Sequence, residues 1–425
     1  MKLTAYARYN SPSAALAVAL ALAMGPIAFV RADEGPLPAT TAESTATAPV
    51  TAAKLDAPMP TAAADWGESV SRDRQQRLAF GGYGEIHANV VEGPGNDQID
   101  LHRIVLSTRY DFTSWLTFQS EFEVEHAFVA PDGTGEVDIE QAYIEYTVCD
   151  WLHVRAGRML VPLGIVNRRH EPTNFNGVER PEFDNYIIPS TWFADGVGIR
   201  GWLGPAVTYE AYVMSSLNGS KFNADGIRDS KLEQSSSLNQ PAFSGRIDWF
   251  PFALAVSPDE ETLRFGASSF LGGLNNGTAG VDPGINGNIN IVSADFEYRY
   301  SRFDFRGEFA FEDIKGAEQI GNGTASEIVG GYWEAALHVL PDGWRCGRLQ
   351  KADALIFVRY DDYNTQYRMP IGVAADPAFQ RYEWTVGVGF LPVPNFVVKA
   401  DYQLPHDETS NHLPARFNAG LGWQF

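Results

Sequence analysis

The sequence predicts an all-β chain folded as a transmembrane, antiparallel, up-and-down β-barrel of about 16 strands. Three observations carry that prediction. Apolar and polar residues alternate from one position to the next in segment after segment, as strands between lipid and a polar lumen require. The segments are even in number, and the connections between them alternate between short and long. Aromatic residues gather at segment ends, where amphipathic rings favour the headgroup level of a bilayer. Bulk composition hides this pattern, since hydrophobic residues make up an ordinary 44% of the chain. Beyond the N-terminal segment no apolar run is long enough for a spanning helix, but alternating strands average out in any hydropathy window.

Residues 1–32 read as a signal peptide. Lys2 and Arg8 give a positive start, Ala14 to Ala23 a short apolar core, and Val30-Arg31-Ala32 a cleavage site. Gly25-Pro26 breaks the apolar stretch, which disfavours a membrane anchor. Residues 33–77 are rich in Ala, Thr and Pro and poor in large apolar side chains, so they read as a periplasmic linker. With about forty-five residues there, no folded plug fits ahead of the barrel. The barrel is then 78–425.

The expected strands are 78–90, 100–110, 116–128, 136–148, 152–159, 196–203, 207–214, 242–250, 262–271, 290–300, 303–311, 327–339, 354–360, 382–391, 396–404 and 416–425. In the third, Leu116, Phe118, Phe122 and Val124 oppose Gln119, Glu121, Glu123 and Glu125. In the eleventh, Phe303, Phe305, Phe309 and Phe311 oppose Asp304, Arg306 and Glu308. In the last, Phe417, Ala419, Leu421, Trp423 and Phe425 oppose Arg416, Asn418, Gly420, Gly422 and Gln424. Connections after even strands are tight at Asp111–Trp115, Cys149–Trp151, Gly204–Ala206, Ser301–Arg302 and Pro392–Asn395. Those after odd strands are longer, as at 160–195, 215–241, 272–289, 312–326 and 361–381. Short turns on one side and long loops on the other match the periplasmic and extracellular ends of such barrels. Two even connections, 251–261 and 340–353, are long enough to hide a miscounted strand. Tyr110, Trp115, Trp151, Trp202, Trp249, Tyr300, Phe390 and Trp423 sit at strand ends as girdle candidates.

Composition and motifs exclude several functions. A formal charge of −21 argues against a nucleic-acid partner. The two cysteines, Cys149 and Cys346, are too few for a disulfide framework. Gly196-Val197-Gly198-Ile199-Arg200-Gly201 matches the letters of a dinucleotide fingerprint, yet its own alternation makes it a strand with no helix to face a pyrophosphate. The chain has no G-x-S-x-G, H-E-x-x-H or C-x-x-C motif, and its eight histidines are dispersed. No cofactor, metal site or catalytic residue is therefore expected. An outer-membrane hydrolase with a site in the barrel is the remaining enzymatic alternative, and it needs a Ser/His or Asp/His set assembled in space.

What the alternation does offer is a lined pore. Arg103, Arg109, Arg155, Arg200, Arg246, Arg264, Arg299, Arg306, Arg359, Arg416 and Lys399 fall on the inward parity. Placing them on the lipid face at the midplane costs roughly 2–4 kcal/mol each. Glu85, Glu121, Glu123, Glu125, Glu145, Glu210, Asp295, Glu297, Asp304 and Glu308 share that face. Two arrangements are open: mutual neutralisation, or a transverse field with the third strand acidic and the fifth, sixth, eighth and ninth basic. Loop 160–195 is long and unpatterned, which marks it as functional. Folded inward it sets the narrowest cross-section, with Arg168, Arg169, His170 and Arg180 as candidates to contact solute.

The chain resembles the phosphate-selective porin O/P type of outer-membrane porins over about 78–425. The likeness rests on Gly157-Arg158-Met159-Leu160-Val161-Pro162-Leu163-Gly164, on Asn174-Phe175 in the following loop, and on the terminal Trp423-Gln424-Phe425. It implies a homotrimer of barrels in the bacterial outer membrane, a third extracellular loop folded inward, and Arg168, Arg169 and Arg180 as constriction cations. The function it implies is passive diffusion of small hydrophilic or charged solutes, including anions such as phosphate. The partners are outer-membrane lipid and those solutes or inorganic ions. Acidic residues crowd the loop and Glu121, Glu123 and Glu125 line one wall, so phosphate selectivity does not transfer with the architecture. A non-conducting structural or adhesin barrel is the alternative, and it requires a lumen occluded by loops.

Overall fold

Sixteen antiparallel strands close on themselves in chain order. The computed structural model describes residues 77–93, 97–126, 135–231, 237–253, 261–277, 281–409 and 412–425. The expected signal peptide (1–32), and the expected linker except residue 77, lie outside them. The strands are β1 Leu78–Val91, β2 Gln98–Asp111, β3 Leu116–Glu125, β4 Glu136–Cys149, β5 Leu152–Leu160, β6 Phe193–Trp202, β7 Val207–Met214 and β8 Ala242–Trp249. They continue with β9 Glu261–Gly273, β10 Asn288–Tyr300, β11 Phe303–Lys315, β12 Glu327–His338, β13 Asp353–Arg368, β14 Gln380–Val393, β15 Phe396–Asp407 and β16 Arg416–Gln424. Closure runs from Tyr83 opposite Gln424 to Val91 opposite Arg416. Beyond it, Phe425 N–H donates to Gly82 O at 2.8 Å and Gly82 N–H to Phe425 O at 3.0 Å. No sheet edge is left, which hydrocarbon demands of any spanning sheet.

The alternation falls as the sequence orders it. Along β14, Trp384, Val386 and Val388 point outward and are 46–50% exposed, while Glu383 and Thr385, on either side of Trp384, are 2% and 0% exposed on the lumen side. Trp115, Trp151, Trp249 and Tyr300 stand exposed at the short-turn end, the geometry of an aromatic girdle.

Several strands run further at the long-loop end than their apolar pattern. β13 continues to Arg368 and β11 to Lys315. Past the apolar band, ladder hydrogen bonds still hold polar residues such as Asp362 and Asn364 opposite β14, so pairing outlasts hydrophobic periodicity. The long 339–352 connection contains two short 3₁₀ turns, Asp342–Trp344 and Gly347–Leu349, and no further strand. Cys149 and Cys346 are both free.

The register shifts in five strand pairs, and two of these shifts bear on the lumen. Glu85 and Ile86 pair with Arg103 and Leu101, which leaves His102 as the extra residue of β2. Glu121 and Phe122 pair with Gln141 and Ile139, which leaves Glu140 as the extra residue of β4. A bulge kinks its strand and re-aims a side chain.

The segment between β5 and β6 lies inside the barrel. Asn167 closes its base: its Nδ2 donates to Val161 O at 2.8 Å, and its Oδ1 accepts from Trp192 N–H at 2.6 Å. Val161, Leu163, Phe183, Ile187, Ile188 and Trp192 of this loop join Tyr212, Met214, Phe270, Ile291 and Tyr332 of the wall in one buried apolar cluster. Trp192 stacks obliquely on Phe270 with ring centres 4.7 Å apart. The barrel thus has a dry core inside its lumen, against β4 to β13.

Candidate functional site

The inward face of the wall is a set of charged side chains, and burial dictates how they are arranged. A guanidinium taken out of water needs a carboxylate to offset its lost solvation. Arg103, 3% exposed, meets Glu85 at 2.6 Å, Glu123 at 3.2 Å and Glu125 at 3.6 Å. Arg155 and Arg200 share Glu145 at 2.5 and 2.7 Å. Arg246 and Arg264 share Asp248 and Asp295, at 2.6 to 2.7 Å. Arg306 pairs with Glu334 at 2.6 Å, and Arg109, near the short-turn end, with Asp111 at 3.0 Å. The basic strands carry their own counter-ions, so of the two arrangements open from the sequence the ion pairs follow mutual neutralisation. Glu121, Glu308, Glu312 and Asp401 are buried wall carboxylates with no ion pair among the described residues; Glu121 accepts from the Gln141 amide, and Glu308 accepts Ile165 N–H at 2.9 Å.

The loop residues divide by where they point. Arg168 is buried and pairs with Glu210 at 2.5 Å and Asp248 at 3.2 Å. Arg169 pairs with Glu297. His170 is fully buried against Glu140 at 3.4 Å, so it faces the wall rather than solute. Arg180 reaches Ser190 Oγ at 2.9 Å and lines open space. Backbone contacts fix the rest: Lys399 donates to Phe175 O at 2.6 Å and Gly177 O at 2.8 Å, and Asp401 accepts Val178 N–H at 2.5 Å.

Open space remains on the side of the lumen away from the dry core. Two adjoining cavities of about 280 and 600 Å³ lie there, and both are lined by His87, His102, His126 and Glu179. Glu85, Arg103, Glu123 and Arg180 line one of them, and Asn89, Asp100, Arg416 and Asn418 the other. Glu179 spans from the loop to the wall, 3.1 Å from His87 Nδ1 and 2.8 Å from Asn89 Nδ2. Burial pushes its carboxyl up, but the His87 and Asn89 hydrogen bonds outweigh this and hold it down at about 2. Asp184, buried on the dry side with no hydrogen bond to either carboxylate oxygen, is pushed well up by burial and by nearby Glu308 and Asp361.

Sequence reasoning placed Glu179 in the loop beside the candidate cations and missed Asp248, His102 and Glu140. Asp248 was within reach, since it shares the parity of Arg246 two residues before it. His102 and Glu140 were not, because each occupies a bulge.

With this geometry established, no family model matches the chain. An uncharacterized protein of Aquifex aeolicus (strain VF5) is 32% identical over 373 residues, spanning 82% of this chain and 80% of that protein. The chain belongs to that protein's family. Among solved structures, Pseudomonas putida OprB superposes with a TM-score of 0.53 at 10% identity, over 85% of this chain and 97% of that one. A loop-deletion mutant of OmpT, an outer membrane protein of Vibrio cholerae, gives 0.51 at 10% identity over 82% and 99%. An anion-selective porin from Comamonas acidovorans gives 0.50 at 10% identity over 82% and 99%. The chain has the 16-strand fold of outer-membrane barrel porins.

Proposed function

We propose that the chain is an outer-membrane porin, a passive channel rather than an enzyme, through which small hydrophilic solutes diffuse along the β1–β4 and β15–β16 side of the lumen. The observation that carries this reading is the pair of charged cavities beside an inward-folded loop in a closed barrel. Carboxylates outnumber basic side chains around those cavities, and an acidic, narrow passage favours cations. We therefore favour cation over anion preference, and phosphate selectivity is the less supported choice. Homotrimeric assembly rests on the family resemblance, and light scattering of the detergent-solubilised protein tests it.

A second reading has its own support. The loop is tied to the wall on many sides and buries an apolar core, as an occluded structural barrel requires. Planar-bilayer recording separates the two. Stepwise conductance with a cation-selective reversal potential under a salt gradient is expected. Absence of steps would leave the occluded barrel, and an anion-selective potential would reverse the assignment of selectivity.

A further inference from the structure

One cluster belongs neither to the two cavities nor to the apolar core. Glu121 of β3, Glu140 of β4 and His170 of the loop meet inside the wall, none more than 1% exposed. One donor atom from each lies within 4.8 Å of the other two. Glu121 Oε1 and Glu140 Oε1 have no hydrogen-bond partner, and His170 Nε2 makes no well-formed hydrogen bond, with only Glu140 Oε2 nearby at 3.4 Å. Buried polar atoms are almost always satisfied, so a buried cluster in which all three side chains carry an unsatisfied atom needs a common explanation.

The surroundings are built toward that cluster. The β4 bulge turns Glu140 inward, where simple alternation between Ile139 and Gln141 would not place it. His170 Nδ1 lies 3.2 Å from Asn167 O. That carbonyl accepts Nδ1–H and leaves the Nε2 lone pair facing the carboxylates, the arrangement that orients a metal-bound imidazole. The Tyr83 hydroxyl lies 3.5 Å from Glu140 Oε2, and its ring stands edge-on to His170 with centres 5.8 Å apart. The Gln141 amide donates to the other oxygen of Glu121, so a second layer holds both carboxylates.

We propose that Glu121, Glu140 and His170 bind one divalent transition-metal ion, best matched by Zn²⁺, which ties the inward loop to the barrel wall. One imidazole nitrogen and two carboxylates suit a borderline ion of low coordination number. Ca²⁺ asks for about six to eight oxygens and Mg²⁺ keeps several waters, neither of which three buried side chains supply. Two carboxylates with a neutral imidazole carry the charge that a divalent ion cancels. Motif reading expected no metal because the three ligands come from separate segments, one of them through a bulge.

Metal content tests this independently of whether the barrel conducts. The full chain is refolded into detergent with Zn²⁺, freed of loose metal by gel filtration, and assayed by mass spectrometry. About one tightly held ion per chain is expected, and Co²⁺ in its place should give d–d absorption. His170→Ala and Glu140→Gln should abolish retention. Tyr83→Phe, which keeps the ring, should weaken affinity on the order of tenfold as an outer-layer change does. Heat-modifiable gel migration reports whether each variant is folded, and the wild-type measurement stands if a variant is not. Folded wild type that retains no ion, with His170 instead an imidazolium between the two glutamates, overturns the proposal. So does folded Glu140→Gln that retains metal as the wild type does.

Discussion

The two sides of the lumen hold the same loop by different means. Against β4 to β13 the contact is dry: Phe183, Ile187, Ile188 and Trp192 are at most 1% exposed. Against β1 and β16 it is wetter and mainly polar, with Glu179 on His87 and Asn89, and Glu182 on Arg416 at 2.6 Å, beside Val178 and Pro172 over Gly420 and Gly422. Apolar burial is worth much more per side chain than a partly exposed ion pair. The dry side therefore fixes where the loop lies, and the wet side sets the charge around the open cavities.

The strongest way to break that division is to open the dry side. Trp192→Ala removes the indole stacked on Phe270, and a buried Trp→Ala change costs about 3–5 kcal/mol. Thermal unfolding in detergent should shift down accordingly, and bilayer recordings should show a noisier, larger conductance. A Trp192→Ala barrel with unchanged conductance and noise would mean that the loop is held by its polar contacts instead.

Asp184 sharpens the same comparison with the opposite sign. It is a carboxyl without partners on the dry side, raised above its ordinary 3.8. A raised acid binds its proton more tightly in the folded state, so stability falls as pH rises above about 3.8. At neutral pH Asp184→Asn should raise stability, by about 1–3 kcal/mol for relief of an unsatisfied buried group. The gain should shrink as pH falls toward 4 and change little below it. A loss of stability at neutral pH would show that Asp184 has an anionic role.

The legibility of the fold and of the site differs for a physical reason. A bilayer imposes an apolar face on every strand, so β14 or β16 can be read from alternation alone. Wall charges such as Arg246 and Arg264 follow from the same parity. Their partners in space do not, because Arg168 reaches Asp248 across 80 positions of sequence. Nor does the inside of the loop: Leu163, Ile187 and Trp192 show no periodicity, since a loop core answers to three-dimensional packing. His102 and Glu140 were hidden because one inserted residue reverses the face that alternation assigns.

The smallest expected effect lies on the wet side, at Glu179. Its side chain is 31% exposed, and such pairs are worth about 0–1 kcal/mol, so Glu179→Gln should barely move the unfolding transition. The loop edge should respond where the barrel does not. A carboxyl depressed from 4.5 to about 2 contributes its anchoring fully above pH 4.5 and loses it as pH falls toward 2. In single-channel records of the wild type, current noise should therefore rise across that acid window. Glu179→Gln should show the raised noise already at neutral pH, with little further change on acidification, and a reversal potential shifted toward anions. A variant as quiet as the wild type at neutral pH, with unshifted selectivity, would place the conducting path away from His87 and Glu179 and return the wet side to a merely structural role.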